Sequence, residues 1–493
     1  MPTLLGIDVG TTNTKVRIYS ENGDIFGEKI FTTPFYTDRH SGYYDPEEIF
    51  NKLLEAISHF NQPLKKEIVA LSVSSFAETM VGLNKMGRAI TRSIAWFDIC
   101  TEVQFKELQN HLNTEEIYST TGLIPYYIYS FYKLLWHRTN SREVFDQVTH
   151  WTSISGYILF ALSGELSFDY SLASRTMFFN QQKECWWDKM IELIGIQKEN
   201  IAGVMPSGIA LGKIKKEVSQ ITGLRPDVLV VTGGHDHLCA ALATGVFEKG
   251  RVLISTGTTE SLTVSLEGIP KATAHSLKRP FWWGHHTASN QFYALNGIYS
   301  GGYSVDWILK IINESYHSFE KCSLPMKKSI PLFFPYLRGA DYNEARGAFL
   351  NLDGEMDEES ILQGLIAGLC FELRFVWEEM VNVFTLAVKE VTNAGGGSKN
   401  NFWMEMKATI LNHDIIVPKD IEGSSKGAAL LAGIGCGIYS DVDTAYKMTF
   451  KIDHVYKPKT RLIEKLDGWY HVYESLLEDI KGINVKIQHN LDY

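Results

Sequence analysis

The sequence of 493 residues predicts an α/β protein of two domains, on three observations. The chain is longer than a single hydrophobic core usually organises. A strand, a Gly-Thr-Thr turn and a second strand occur twice, in "LLGIDVGTTNTKVRIYS" and in "VLISTGTTESLTV". The strands "EIVALSVSS" and "DVLVVTGG" are apolar without alternation, which is typical of central strands covered on both faces. We therefore expect two domains, over residues 1–245 and 246–493.

The first domain is expected to begin with three antiparallel strands, "TLLGIDVG", "TKVRIYS" and "GDIFGEKIF", with a turn at "ENGD". The stretch "PEEIFNKLLEAISHF" predicts a helix, because Ile49, Leu53, Leu54 and Ile57 recur at helical spacing. The central strand "EIVALSVSS" follows. The region from Glu102 to Gly223 is then expected to be mostly helical, before the buried strand "DVLVVTGG" and the small-residue helix "LCAALATGVF".

The second domain is expected to restart the pattern. "GRVLISTGTTESLTVSL" repeats the opening hairpin, and "SILQGLIAGLCFELRFVWEEMVNVF" predicts a long helix. "EVTNAGGGSKNNFWMEMKATIL" predicts a strand, a glycine turn and a helix. Because no Pro/Ser-rich or low-complexity linker separates the halves, the boundary near Val246 is inferred from the restart alone.

Composition excludes several classes of function. Apolar residues make up 45% and charged residues 21%, the balance of an ordinary soluble protein. The net charge of -10 argues against nucleic-acid and acidic-membrane partners, because no basic surplus exists to neutralise phosphates. Six cysteines without a CxxC pair argue against a metal knuckle and a disulfide framework. The start lacks a signal peptide pattern and no run of 18 apolar residues occurs, so we expect a cytoplasmic protein with no membrane span.

The repeated hairpin is a candidate phosphate site. In "DVGTTNTK", the glycine permits a tight turn, and successive N–H groups with the hydroxyls of Thr11 and Thr12 can face an anion. The stretch matches neither the Walker A loop nor the dinucleotide fingerprint. A plain hairpin turn is the alternative for either copy alone. The second copy, Thr256 to Thr259, favours two hairpins, one per domain, on opposite sides of a polyphosphate.

Two further motifs follow predicted strands. In "NAGGGSKNN" three glycines permit a flat ligand to lie on the backbone. A strand-to-helix turn with positive φ is the alternative, but it requires only one glycine. We interpret this loop as a purine contact. In "GGHDH" the carboxylate of Asp236 comes just past a buried strand, where ligands bind in open α/β sheets. Asp236 also lies at the predicted start of a helix, so a helix N-cap remains an equal alternative.

Taken together, these elements resemble the FGGY family of carbohydrate kinases. The resemblance keeps its order along nearly the whole chain, through "GIDVGTTNTK", "SVSSFAETMVGLN", "AWFDICT", "YKLLW", "LSGELSFDYSLASRT", "GGHDHLCAALATG", "STGTT", "FPYLRGADYNEARGAF" and "NAGGGSKNNFWMEMKATIL". It implies an α/β fold of two ribonuclease-H-like (actin-like ATPase) domains, with mixed sheets flanked by helices and a cleft between the domains. It also implies ATP and Mg²⁺ as cofactors.

The resemblance implies a role for individual residues. Asp236 becomes the general base for the sugar hydroxyl, and Asp8, with Asp236, the group that positions Mg²⁺ and phosphate. The remaining positions are expected to bind ATP or the sugar. The implied ATP contacts are Gly10, Thr11, Thr12, Lys15, Gly257, Thr258, Thr259, Gly396, Gly397 and Asn400, and the implied sugar contacts are Ala77, Glu78, Trp96, Asp98 and Asp236.

The sequence departs from the family pattern near the sugar contacts. Cys100 stands where many relatives have the arginine of "D-x-R-T", and "RGADYNE", with Ala340 and Asp341, replaces a common Gly-Glu-Arg run. The stretch "FAETM" stands where many pentulose kinases have Gln-Met-His, and its Glu78-Thr79 pair is closer to the glycerol kinase pattern. The departures leave the ATP contacts intact and the sugar undetermined.

We therefore expect an ATP-dependent kinase of a small sugar or polyol, with a neutral pentulose such as xylulose as the preferred acceptor. The carboxylates of Asp236, Glu78 and Asp98 would repel an acidic aldonate unless a cation such as Arg92 or Lys133 intervened. The alternatives are a kinase of glycerol, erythritol or gluconate, and a catalytically degenerate nucleotide-binding sensor. No nucleic acid or membrane is expected as a partner, and a homodimer is the assembly considered.

Overall fold

The computed structural model describes residues 1–271, 281–324, 326–327, 330–339 and 346–491. The strands up to residue 247 are β1 Thr3–Val9, β2 Asn13–Ser20, β3 Ile25–Thr32, β4 Phe35–Thr37, β5 Gly42–Tyr44, β6 Ile68–Ser75, β7 Met80–Leu83, β8 Ser93–Ile94, β9 His150–Ser153, β10 Phe168–Asp169, β11 Phe179–Asn180, β12 Cys185–Trp186, β13 Val204–Met205, β14 Ala210–Lys213 and β15 Leu229–His235. The α-helices of the same stretch are α1 Pro46–Ser58, α2 Gln62–Glu67, α3 Glu102–Leu108, α4 Thr114–Thr121, α5 Ser130–Asn140, α6 Arg142–Phe145, α7 Ile154–Ser163, α8 Tyr170–Ala173, α9 Asp188–Ile194, α10 Lys216–Thr222 and α11 Asp236–Ala243.

The strands after residue 247 are β16 Arg251–Thr256, β17 Glu260–Leu266, β18 Trp282–His285, β19 Phe292–Ile298, β20 Leu332–Phe334, β21 Ala348–Leu350, β22 Glu390–Ala394, β23 Ile415–Pro418 and β24 Ile452–Tyr456. The α-helices are α12 Gly301–Ile311, α13 Tyr316–Lys321, α14 Glu358–Phe384, α15 Asn401–Leu411, α16 Gly423–Gly435, α17 Val442–Thr449 and α18 Thr460–Leu491. Short 3₁₀ turns lie at Ile99–Thr101, Lys198–Asn200 and Gly396–Lys399.

The chain divides into two compact units, each assembled from three segments. Unit 1 comprises Met1–Phe247, Ser265–Ala294 and Glu422–Phe450, and unit 2 comprises Glu248–Val264, Leu295–Ile421 and Lys451–Tyr493. Helices α16 and α17, late in the sequence, therefore belong with the N-terminal residues. The division of the chain at residues 245 and 246 stays a prediction.

Unit 1 is built on a mixed six-stranded sheet in the order β14-β15-β6-β1-β2-β3. Strands β1, β6 and β15 are mutually parallel neighbours, whereas β2 and β14 run antiparallel to β1 and β15. Every residue of β1 is buried, including Thr3 and Asp8. Helix α1 begins as its sequence indicates, with Asp45 as the N-cap residue and Pro46 in the first turn.

Helix α16 packs on one face of this sheet, and small residues permit its close approach. A Cβ atom on Gly6 of β1 would lie 2.0 Å from the carbonyl oxygen of Ser425. A Cβ atom on Gly427 would lie 1.9 Å from the carbonyl oxygen of Cys239 in α11. The buried cluster at this contact combines residues distant in sequence, among them Leu4, Ala70, Val231, Leu242 and Leu430.

The sheet of unit 2 repeats the strand directions of unit 1. Strands β17, β16, β22, β23 and β24 are successive neighbours. The β16–β17 pair is antiparallel, β16–β22 and β22–β23 are parallel, and β23–β24 is antiparallel. The same series of directions runs from β2 through β1, β6 and β15 to β14. The restart inferred from the sequence is thus visible in the sheet topology.

The region from Glu102 to Gly223 is less uniformly helical than the sequence predicts. It contains helices α3 to α10, but the short strands β9 to β14 interrupt it.

Helix α14 is long and apolar enough, by length and composition alone, to cross a membrane. Because 72% of its most apolar window is buried inside the structure, it has the burial of a core helix. The expectation that no segment spans a membrane stays a prediction.

Candidate active site

Three neighbouring parallel strands of unit 1 bring three carboxyl groups to one edge of the sheet. The register pairs Val9 of β1 with Ser75 of β6, and Ser75 with His235 of β15. Asp8 precedes this level by one residue, Asp236 follows it by one, and Glu78 follows it by three. Since ligands bind at the carboxyl ends of parallel strands, this edge is the candidate active site.

Asp236 is the first residue of α11 and has a side chain that is 25% exposed. Its Oδ1 accepts a hydrogen bond from the backbone N–H of His237 at 2.7 Å and lies 3.2 Å from Nε2 of His235. Burial, with the nearby charge of Glu78, raises the pKa of Asp236 to about 7, although the His237 hydrogen bond and Arg175 oppose the shift. A carboxyl group with a pKa near neutrality is suited to accept a proton during catalysis.

Asp236 does not have the geometry of an ordinary helix cap. The N-cap residue of α11 is His235, whose side chain makes no capping hydrogen bond. Asp236 itself stands inside the first turn, where a carboxylate is favoured by the helix dipole. The N-cap alternative that the sequence left open is therefore not the arrangement found.

Asp8 lies close enough to Asp236 for their charges to interact. Burial and the charge of Asp236 raise the pKa of Asp8 to about 7, while a hydrogen bond from Ser74 and the charge of Lys15 lower it. The Ser74 hydroxyl donates to Oδ1 of Asp8 at 2.8 Å. The charge of Asp236 therefore contributes to the raised pKa of Asp8.

The first predicted hairpin is present between β1 and β2. The N–H of Gly10 donates to the carbonyl of Asn13 at 3.1 Å, which closes the turn. Thr11 accepts two hydrogen bonds, from Nε1 of Trp96 to its Oγ1 at 3.3 Å and from the Tyr44 hydroxyl to its carbonyl at 3.2 Å. Thr12 is exposed. Lys15, paired with Asp8 in the strand register, forms an ion pair with Glu422.

Glu78 has an unusual backbone conformation and a buried ion-pair partner. Its φ of 62° lies in the left-handed region, where a residue other than glycine is uncommon. Oε1 of Glu78 accepts a hydrogen bond from Nε of Arg175 at 2.6 Å, and both side chains are nearly inaccessible, 7% and 4% exposed. The Arg175 guanidinium also lies over the rings of Tyr129 and Trp282, at 5.4 and 4.9 Å from their centres.

Arg175 is a functional candidate that the sequence reasoning missed. It lies inside the quoted stretch "LSGELSFDYSLASRT", where a lone arginine before the run "TMFF" was the available signal.

Arg92 and Lys133 are the two cations that the sequence suggested for binding an acidic aldonate. Arg92 forms an ion pair with Asp38 at 2.5 Å. Lys133 is buried, donates to the carbonyl of Ile128 at 2.9 Å, and has its pKa lowered to about 7 by desolvation.

The other predicted sugar contacts lie in the same unit. Ala77 is buried beside Glu78, and Trp96 is partly buried against the first hairpin. Asp98 uses both carboxylate oxygens on backbone groups, accepting from Cys100 at 2.8 Å and from Gly42 at 2.5 Å. Asp98 thus caps a 3₁₀ turn, so its contact with a sugar stays a prediction.

The second hairpin, in unit 2, is exposed at its tip and anchored at its base. Gly257 and Thr258 are exposed, and their carbonyls accept from the N–H groups of Gly302 and Tyr303 at 2.9 and 3.1 Å. Thr259 closes the turn by accepting from the N–H of Gly257 at 2.9 Å.

A buried polar cluster lies beneath this hairpin. Lys407 and Glu260 form an ion pair with no solvent exposure on either side chain. The Lys407 ammonium also donates to the Thr256 hydroxyl at 2.6 Å and to the Asn393 side chain at 2.9 Å. These contacts fix the base of the hairpin to the end of β22, immediately before the glycine loop.

The glycines of that loop meet different demands. Gly395 adopts φ of +87°, which supplies the turn that one glycine satisfies. A Cβ atom on Gly397 would lie 2.3 Å from Cγ2 of Thr256, whereas a Cβ atom on Gly396 would meet no atom within 4 Å. Gly396 is exposed, so neither the turn nor packing in this unit requires a glycine there. Asn400 caps α15, with Oδ1 accepting from the N–H of Trp403 at 2.9 Å.

The donors at the sheet edge of unit 1 fit Mg²⁺. Asp8 and Asp236 offer carboxylate oxygens, and Mg²⁺ is usually held by one or two carboxylates together with water and substrate phosphates. Among the described residues, one cluster of three metal-ligand side chains occurs, His235, Asp236 and His237, with ligand atoms within 4.8 Å of one another. Its imidazoles are poor ligands for a hard cation, so the two aspartates are the better match. The stretch with Ala340 and Asp341 lies outside the described residues.

The chain is similar to carbohydrate kinases over most of its length. The model of the N-terminal domain of the FGGY family of carbohydrate kinases matches residues 3–243, and that of the C-terminal domain matches residues 252–436. The xylulose kinase of Bacillus subtilis (strain 168) is 24% identical over 504 residues, covering 99% of both chains. The gluconokinase of the same organism is 24% identical over 466 residues, covering 90% of both.

A solved structure confirms the predicted fold class. The ligand-bound xylulose kinase from Lactobacillus acidophilus superposes with a TM-score of 0.88 at 24% identity, over 98% of this chain and 99% of that one. The predicted actin-like ATPase fold, with two domains of mixed sheets flanked by helices, is therefore correct. Since family models match in order along most of the sequence, the chain belongs to the FGGY family of carbohydrate kinases.

Proposed function

We propose that this ATP-dependent sugar kinase phosphorylates a neutral pentulose, with xylulose as the representative acceptor and Asp236 as the general base. The observation that carries the proposal is the pair Asp236 and Glu78 at one sheet edge, with Arg175 bound to Glu78. Relatives named xylulose kinase support the acceptor. The small-molecule sugar follows from the family, while cytoplasmic location, a homodimer, and the absence of nucleic-acid and membrane partners stay predictions.

Asp236 would act on the acceptor hydroxyl. As the hydroxyl oxygen bonds to the γ-phosphorus of ATP, the bond from that phosphorus to the β,γ-bridging oxygen breaks and ADP leaves. The hydroxyl proton passes to the Asp236 carboxylate, whose raised pKa makes it a competent acceptor near neutral pH. General-base assistance of this kind contributes about 10²–10⁴-fold to the rate.

The remaining residues would hold the nucleotide. In each unit a hairpin presents backbone N–H groups and threonine hydroxyls, at Gly10 to Thr12 and at Gly257 to Thr259, and we assign them to the phosphates. The open face of Gly396 would lie against adenine. Asp8 and Asp236 would hold Mg²⁺, which offsets phosphate charge when it is bound.

Charge supports a neutral acceptor over an aldonate. The ion pair with Arg175 neutralises Glu78, so before Mg²⁺ binds the carboxylates of Asp236 and Asp8, when ionised, are the charges that an aldonate would meet. Like charges a few Å apart cost several kcal/mol even at an effective dielectric near ~20. Hydroxyl groups face no such repulsion and donate well to carboxylates.

The test is ADP release with D-xylulose, D-ribulose, glycerol, erythritol and D-gluconate as acceptors. We expect the highest kcat/KM with a pentulose. A clear preference for gluconate would overturn the neutral acceptor. Nucleotide binding without turnover on any compound would instead favour the degenerate sensor.

A further inference from the structure

We propose that Arg175 is a positioning residue of the acceptor site, which fixes the Glu78 carboxylate so that its second oxygen binds acceptor hydroxyls. This inference rests on the proposed function, which places the acceptor beside Glu78 and Asp236. It assigns to the site a residue that lies on a different segment of the chain, just after α8.

The first argument is the geometry of the pair. Nε of Arg175 donates to Oε1 of Glu78 at 2.6 Å, and among the described residues no hydrogen bond reaches Oε2. Nη1 of Arg175 is buried and also lacks a partner there. Oε1 of Glu78 thus orients the carboxylate by binding Arg175, while Oε2 of Glu78 and Nη1 of Arg175 can form hydrogen bonds with an acceptor.

The second argument is that Arg175 itself is rigidly held. The rings of Tyr129 and Trp282 lie against the guanidinium, which restricts its plane. The preceding helix α8 is fixed to the strand that ends beside the base, because the Ser171 hydroxyl accepts from the N–H of His235 at 2.8 Å. The segment that carries Arg175 is therefore tied to the same strand that ends beside Asp236.

The third argument is the backbone conformation on either side of the ion pair. Glu78, at φ of 62°, and Met177, at φ of 69°, both occupy the left-handed region. Such conformations persist only where the surroundings impose them, and they concentrate at functional sites.

The test compares R175M, R175K, E78Q and the double variant R175M/E78Q. The control is R17M, which removes an ion pair with Glu28 in the same unit, on β2 and β3. For each, the KM and kcat for D-xylulose, glycerol and D-gluconate are measured beside the KM for MgATP, with thermal unfolding as a check of folding. The acceptor that the wild type prefers is used for the comparison.

We expect R175M to raise the acceptor KM by about tenfold or more, with the MgATP KM within about twofold of wild type, because misplaced contact groups weaken acceptor binding. R175K should recover part of the loss, and the double variant should be no worse than the poorer single variant, as for residues that act through one contact. R17M should leave both KM values unchanged.

An acceptor KM unchanged in R175M, with only a lower melting temperature, would overturn the proposal, as would additive losses in the double variant. If the wild type turns over none of the compounds, the proposed function fails. The role of Arg175 is then tested by the rise in melting temperature that these compounds cause, which should be smaller in R175M than in wild type. An equal rise in the two proteins, or no rise in either, contradicts the proposed role of Arg175.

Discussion

Asp236 is the residue on which catalysis should depend most strongly. We expect Asp236→Asn to lower kcat by about 10²–10⁴-fold, because the amide cannot accept the hydroxyl proton. Binding of MgATP should change little, since most of the proposed nucleotide contacts lie in the hairpins and the glycine loop. Single-turnover rates and nucleotide titration measure the two effects.

The control for this substitution is Asp227→Asn, at an exposed aspartate of the same unit that pairs with Arg225 at 2.6 Å. It removes one negative charge without touching the sheet edge. A decrease of less than about threefold for Asp236→Asn would show that Asp236 has no role as a base.

The raised pKa of Asp236 also predicts a dependence of stability on pH. Its folded pKa is about 7 and its ordinary value 3.8, so between these values the unfolded chain loses the proton first. Stability therefore falls as pH rises through this window and levels off above it. Asp236→Asn lacks this loss, so we expect it to be more stable than wild type above about pH 7, with the difference vanishing towards about pH 4.

Thermal unfolding without nucleotide and with a chelator present measures this difference across the pH range. A wild type that is as stable as Asp236→Asn at every pH would contradict the raised pKa. The neighbouring Asp8 remains in both proteins, so its own titration contributes to both curves.

At the scale of elements, the glycine loop offers a matched pair of substitutions. Gly397→Ala would place a methyl group 2.3 Å from Thr256, whose hydroxyl belongs to the buried cluster with Lys407. We expect it to destabilise the protein by about 1–3 kcal/mol, as overpacking does. Gly396→Ala has space within the unit and should leave stability unchanged.

The same pair tests the assignment of adenine. If adenine lies against Gly396, the substitution Gly396→Ala raises the KM for ATP while the melting temperature stays the same. An unchanged ATP KM in Gly396→Ala would remove adenine from this face. Equal melting temperatures of the two variants would contradict the packing described for Gly397.

At the scale of the whole molecule, the discontinuous units predict how fragments behave. A fragment of residues 1–245 lacks α16, whose residues Leu430 and Leu431 share a buried cluster with Leu4 and Val231. Without this helix, one face of the central sheet is exposed. We expect the fragment to show no cooperative thermal transition, because burial of apolar surface drives folding.

Circular dichroism and calorimetry of the fragment test this expectation, and the full chain is the control. Supplying residues 265–294 and 422–450 through short linkers should restore a cooperative transition. A sharp transition of the 1–245 fragment alone would show that the sequence boundary is also a boundary of folding.

The sequence by itself determined the class of fold, the repeat and the order of the motifs. Local patterns suffice for these, because strand and helix periodicities and glycine turns depend on neighbouring residues. Asp236 directly follows β15, as the motif "GGHDH" predicted, whereas Asp8 lies inside β1, one residue before its end. Family membership followed from the same ordered motifs.

Only the tertiary structure decided which distant residues meet. The Arg175–Glu78 pair spans 97 positions, and α16 packs on strands more than 400 positions earlier, as the contact of Ser425 with Tyr19 records. It also decided the pKa values of the aspartates and the different demands on Gly396 and Gly397. These properties arise from burial and close approach between segments, which depend on three-dimensional packing and leave no periodic signal in the sequence.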